Sequence, residues 1–165
     1  MQTIKFFAIL IAASPEIFAE SAPSRRLIVN IAARKIVLVE DGKVVKMYPV
    51  SVGKRSTPSP SGSFHIASHV ANPTYSHGGK VVKPGPSNPV GTRWMGLGYK
   101  GYGIHGTNQP ESIGHAASHG CIRMRNQDVE ELFALVRVGD EVELVTDESD
   151  LAQVAAGVDA FGESQ

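Results

Sequence analysis

Cys121 is the one cysteine in 165 residues, and it closes the run Ser118-His119-Gly120-Cys121. A thiol is a nucleophile or a metal ligand only as the thiolate, so what it can do depends on groups able to take its proton. Two imidazoles are placed for this: His119, two positions earlier, and His105, sixteen positions earlier. Three chemistries are open to such a set. Cys121 can attack an acyl carbon with His105 as general base. His105, His119 and Cys121 can hold zinc, with His115 as the best fourth ligand. Or Cys121 is an inert core residue. Polar neighbours on both sides of Cys121 weigh against the core reading, and the lack of standard ligand spacing weighs against zinc.

The rest of the segment suits acyl chemistry. Gly120 lets backbone come close to a bound carbonyl, and the N–H groups of Gly120 and Cys121 are natural oxyanion donors. Ser118 can bond locally and hold the turn. Arg123 falls on the same side of an extended strand as Cys121, where a guanidinium can hold a substrate carboxylate. A general base needs its other ring nitrogen fixed to set the tautomer. The residue after His105 is Gly106, which has no side chain to do this.

The elements that position these groups read as short strands. Seventeen glycines and ten prolines point to many turns. Residues 26–30 and 35–40 are β-rich, Asp41-Gly42 is a hairpin signal, and 43–52 continues beyond it with Pro49 marking an edge or a bulge. The turn cluster 57–62 leads to a strand over 63–67. Residues 68–89 hold four prolines and three glycines and show no regular element; a loop this long reads as a lid or a groove wall. Strands are expected at 90–97, 102–105 and 121–124, the second delivering His105 at its end. Asn126 reads as an N-cap, followed by a helix over 127–136 with Val129, Leu132, Phe133 and Val136 at helical spacing. Gly139-Asp140 stops it before a last strand at 141–145. The fold class is therefore mainly β, a sandwich or barrel of short strands with one short helix after the cysteine. His65 should face away from its strand's core side, His69 and His77 sit in the lid, Tyr75 is a candidate substrate contact there, and Trp94 reads as core.

Residues 1–19 read as a signal peptide: Lys5 supplies the charge, 6–13 the apolar run, and Ile17-Phe18-Ala19 the cleavage site. The run is too short to span a bilayer, which takes roughly 20 apolar residues. The chain is thus expected to be exported, to a periplasm or beyond. Formal net charge is zero, yet 25–145 carries fifteen Lys and Arg against nine Asp and Glu, while 146–165 carries five acids and no base. The basic body tolerates an anionic polymer; no basic run is dense enough for nucleic acid. The acidic tail is expected to be mobile.

The segments Ile104-His105-Gly106-Thr107-Asn108 and Ser118-His119-Gly120-Cys121-Ile122-Arg123-Met124 resemble the active-site signature of YkuD-type L,D-transpeptidases, bacterial cell-wall enzymes. Thr57-Pro58 before Gly62-Ser63-Phe64, Asn72-Pro73 and Asn88-Pro89-Val90-Gly91 extend the resemblance over about 27–145. It implies a sandwich-like catalytic domain with Cys121 as nucleophile, His105 as base, and His119 and Gly120 in the active site. It implies peptidoglycan stem peptides as substrate, no metal or organic cofactor, and acylation by carbapenems. The implied acceptor is an amine, either of another stem or of an outer-membrane lipoprotein lysine. Arg123 stands where the family's most familiar pattern has asparagine. Two alternatives use the same groove: a carboxypeptidase or endopeptidase with water as acceptor, and a wall-binding module without turnover.

Overall fold

The computed structural model of the chain describes residues 24–146. The expected signal peptide, and all of the acidic tail after Thr146, lie outside the described residues.

Three strands open the fold: β1 (Arg25–Asn30), β2 (Lys35–Glu40) and β3 (Lys43–Pro49). Asp41 and Gly42 both take positive φ, 48° and 76°, the backbone of a two-residue hairpin whose twist matches its strands. Short strands follow: β4 (Val52–Gly53), β5 (Gly62–His65), β6 (Ser68–Ala71), β7 (Tyr75–His77), β8 (Lys80–Val82), β9 (Arg93–Gly96), β10 (Gly103–His105), β11 (Ala116–Ser118) and β12 (Ile122–Arg123). A 3-10 turn over Pro110–Ser112, the helix α1 (Asn126–Leu135) and β13 (Glu141–Val145) complete the regular structure of the described residues.

Among the described residues the larger sheet has the order β3-β2-β1-β13-β5 and a second β12-β10-β9-β6, while β11 pairs with β4 and β7 with β8. Strand β13 lies parallel to β1, and Pro49 ends the edge strand β3, where its missing N–H is harmless. Alternation along β1 and β2 sends Leu27, Val29, Ile36 and Leu38 inward, where they meet Met95, Ile104 and Ile122 of the second sheet and Val129 and Leu132 of α1. These side chains are at most 1% exposed; truncating one of the leucines to alanine costs on the order of 2–5 kcal/mol. The sandwich thus clamps β10 and β12, neighbours in parallel register with His105 opposite Arg123.

Several sequence expectations change. The segment 68–89 is not without regular structure. It holds β6, which joins the second sheet, and the hairpin β7–β8, turned at Gly78-Gly79, both at positive φ. The strand expected at 90–97 is shorter, because Gly91 at φ +63° turns the chain. Asn126 is the first helical residue rather than the cap. The cap position belongs to Arg125, with no side-chain capping bond. The Asn126 carboxamide is drawn elsewhere: its Oδ1 accepts the N–H groups of Thr92 and Thr107, each at 3.2 Å.

Candidate active site

The turn that carries Cys121 is held from within and from behind. The Ser118 hydroxyl donates to the Cys121 carbonyl at 2.6 Å and accepts the Gly120 N–H at 3.0 Å. Behind it, the Thr57-Pro58-Ser59 turn acts as a buttress. Ser59 Oγ donates to the Gly120 carbonyl at 2.8 Å and accepts the Gly53 N–H at 2.9 Å. The Ser118 carbonyl takes the Lys54 N–H at 3.1 Å and the Thr57 hydroxyl at 3.3 Å. Gly120 is required by geometry: its φ is +113°, and a Cβ there would lie 2.3 Å from Tyr102 Cε1. What approaches Gly120 closely is therefore the Tyr102 ring. The Cys121 N–H donates to no group among the described residues.

His105 ends β10 and is 4% exposed. Its Nδ1 lies 2.5 Å from the Gly106 carbonyl. A carbonyl only accepts, so Nδ1 carries the proton and Nε2 the lone pair. Trp94 stacks on the ring, centroids 5.4 Å apart. Burial pushes the imidazole pKa down to about 4; the Gly106 bond opposes this and Arg123 adds to it. The half-buried Cys121 thiol is pushed up by burial, with Gly103 N–H and Arg123 pulling the other way. The thiol sits 3.8 Å from the Gly101 carbonyl. Burial therefore favours the neutral form of each group, the thiol and the imidazole, over a thiolate and an imidazolium.

Cys121, His105, His119 and Arg123 line one cleft of about 790 Å³, walled by Tyr75, Ser76 and His77 of β7 and by Lys100, Gly101 and Tyr102 of the β9–β10 turn. A model of the L,D-transpeptidase catalytic domain, YkuD, matches residues 24–144. The chain belongs to this family. The putative L,D-transpeptidase YqjB of Bacillus subtilis is 41% identical over 129 residues, covering 74% of this chain and 72% of that protein. The catalytic domain of the Enterococcus faecium L,D-transpeptidase, solved by NMR, superposes with a TM-score of 0.62 at 29% identity, covering 73% of this chain and 96% of that one. LdtMt1, solved in complex with imipenem, gives 0.63 at 25% identity over 74% of this chain and 59% of its own. The chain also spans 64% and 62% of the lengths of two further Bacillus relatives.

In this L,D-transpeptidase domain most residues singled out in the sequence meet at the cleft. The backbone carbonyl that faces the His105 ring is that of Gly106. Arg123 reaches the cleft with its guanidinium 3.3 Å from Gln109 Oε1, and His119 Nε2 lies 3.5 Å from Lys54 Nζ. Ser118 is 1% exposed, and its hydroxyl is engaged as donor and acceptor inside the turn. The Gly120 N–H donates to Ser118 Oγ. Trp94 is not simply core but stacks on His105 at the cleft. The zinc grouping does not assemble: among the described residues no three His, Cys, Asp or Glu side chains converge. His69 leaves the lid for β6, where it stacks on Phe133 at 3.4 Å; His65 is exposed.

Asn88 was singled out only within the resembling segment Asn88-Pro89-Val90-Gly91, with no role attached. Fully buried, it donates to the carbonyls of Pro73, Val82 and Lys83 and accepts the Val90 N–H. It ties the two ends of the β7–β8 hairpin to the turn that precedes β9. Nothing local in that segment showed that its carboxamide reaches the carbonyls of Pro73, Val82 and Lys83.

Proposed function

We propose that this domain is a peptidoglycan L,D-transpeptidase that works by cysteine acyl transfer. Cys121 is the nucleophile and His105 the general base. His105 Nε2 takes the thiol proton as sulfur attacks the carbonyl of the third, diamino-acid residue of a tetrapeptide stem. The Cys121 N–H faces the developing oxyanion. The amide C–N bond breaks, the proton on His105 passes to the departing amine of D-alanine, and a thioester remains. An acceptor amine then attacks the thioester, gives its proton to His105 and restores the thiol. The acceptor is a second stem, giving a 3→3 cross-link, or a lipoprotein lysine. Arg123, and Tyr75 on the β7 wall, contact the stem; His119 lies beside the reacting carbonyl.

The observation that carries this reading is that a half-buried thiol and a buried imidazole whose Nδ1 faces the Gly106 carbonyl line one cleft. Family membership supports the same chemistry and an exported location.

The test is mass spectrometry of disaccharide tetrapeptides incubated with the protein, with Cys121→Ala as control. Cys121-dependent cross-linked dimers are expected. Tripeptides alone would make water the acceptor and the domain a carboxypeptidase. No Cys121-dependent product would refute the acyl-transfer reading and favour a wall-binding module.

A further inference from the structure

We propose that Asn126 is a positioning residue for His105, acting through the rigid peptide unit that joins Gly106 to Thr107. The proposal rests on the reading of His105 as the base. A peptide unit is planar and trans, so its C=O and N–H leave opposite edges of one plate. At one edge of this plate the Gly106 carbonyl receives the His105 Nδ1 proton at 2.5 Å. At the other edge the Thr107 N–H donates to Asn126 Oδ1 at 3.2 Å. Two N–H donors converge on that terminal atom, which identifies it as the oxygen.

The second donor is the Thr92 N–H, also at 3.2 Å. Thr92 precedes β9, whose Arg93 carbonyl accepts the Gly106 N–H at 3.1 Å and whose Trp94 stacks on the imidazole. The asparagine therefore locks the His105 loop to the strand that packs against the same ring. The fit has no slack: a Cβ on Gly91 or on Gly106 would lie 2.2 Å from Asn126 Oδ1. Donation at the N–H edge also polarises the carbonyl and makes it a better acceptor. Without the Asn126 oxygen, the plate is free to rotate and its hold on Nδ1 loosens. A histidine protonated at Nε2 cannot take the proton of the thiol.

The test uses the full chain with ¹⁵N-labelled histidine, His105 being assigned by comparison with His105→Gln. Imidazole nitrogen shifts near pH 7 read the tautomer, and steady-state turnover of disaccharide tetrapeptides reads the chemistry. Wild type and Asn126→Asp, which keeps the acceptor oxygen, should show His105 as the single Nδ1–H tautomer. Asn126→Ala should show a mixture while still melting cooperatively. Its kcat should fall roughly 10- to 100-fold with KM changed by less than about 2-fold, and Asn126→Asp should stay within about 3-fold of wild type. The proposal is overturned if wild-type His105 is protonated at Nε2, if Asn126→Ala keeps both the tautomer and kcat, or if Asn126→Asp loses as much as Asn126→Ala. The wild-type tautomer needs no variant, so the test survives an alanine variant that fails to fold. It also needs no turnover, so failure of the acyl-transfer reading is told apart from failure of this one.

Discussion

Acidification should destabilise this domain through His105, by an amount the structure lets one work out. The imidazole pKa moves from its ordinary 6.5 to about 4. At roughly 1.4 kcal/mol per unit, that is about 3 kcal/mol between native and unfolded states. As pH falls through 6.5 the unfolded chain takes up a proton that the native state refuses until about 4. In that window the unfolded state binds more protons, so stability falls with falling pH and levels off below about 4. Burial also lowers the His69 pKa, so the total loss mixes two groups. Replacing His105 by glutamine removes one of them while leaving an amide able to donate to the Gly106 carbonyl. Urea unfolding of both proteins at pH 7.5, 6, 5 and 4 gives the difference directly. The advantage of wild type over His105→Gln should shrink by about 3 kcal/mol from pH 7.5 to 4. A difference that stays constant over this range would refute the buried, neutral imidazole and the resting state built on it.

Three further outcomes are expected. Because burial raises the Cys121 pKa, alkylation by iodoacetamide should still be accelerating at about pH 8.5, the ordinary thiol value; a reactive plateau between about pH 5 and 7, the mark of a thiolate–imidazolium pair, would contradict the neutral pair. Gly120→Ala should cost about 1–3 kcal/mol in thermal melts, from strained φ and the clash with Tyr102, and Tyr102→Leu in the same chain should restore part of it; no restoration would place the strain elsewhere. Asn88→Ala leaves buried groups at the base of the β7–β8 hairpin unpaired, so stability should drop by about 1–3 kcal/mol, and amide exchange should rise first across Tyr75–His77 and Lys80–Val82; an unchanged exchange rate there would separate Asn88 from the hairpin.

What was legible in the sequence follows a physical division. Strands β1, β2 and β13 could be read because each is a β-branched, apolar run bounded by turn residues, and one layer of a sandwich needs little else. The Cys121 and His105 segments could be read because they pack their chemistry into a few adjacent residues. The hairpin β7–β8 escaped because three-residue strands leave almost no alternation, and prolines on both sides of Gly78-Gly79 suggested a loop. Asn126 was misread because an asparagine at the start of a helix has a local use, the N-cap. Its oxygen is claimed instead by donors 34 and 19 residues away in the chain, a competition that only the fold decides. Gly120 was seen as room for substrate; the ring that fills that room, Tyr102, comes from a turn with no motif of its own.

Intact-mass spectrometry of the protein mixed with a disaccharide tetrapeptide and quenched in acid would test most directly whether Cys121 carries the acyl group. A covalent adduct equal to the stem without its terminal D-alanine should appear, localise to the Cys121 peptide, vanish in Cys121→Ala and fall sharply in His105→Gln. An adduct on another residue, or D-alanine released at full rate from Cys121→Ala, would contradict the proposed thioester mechanism.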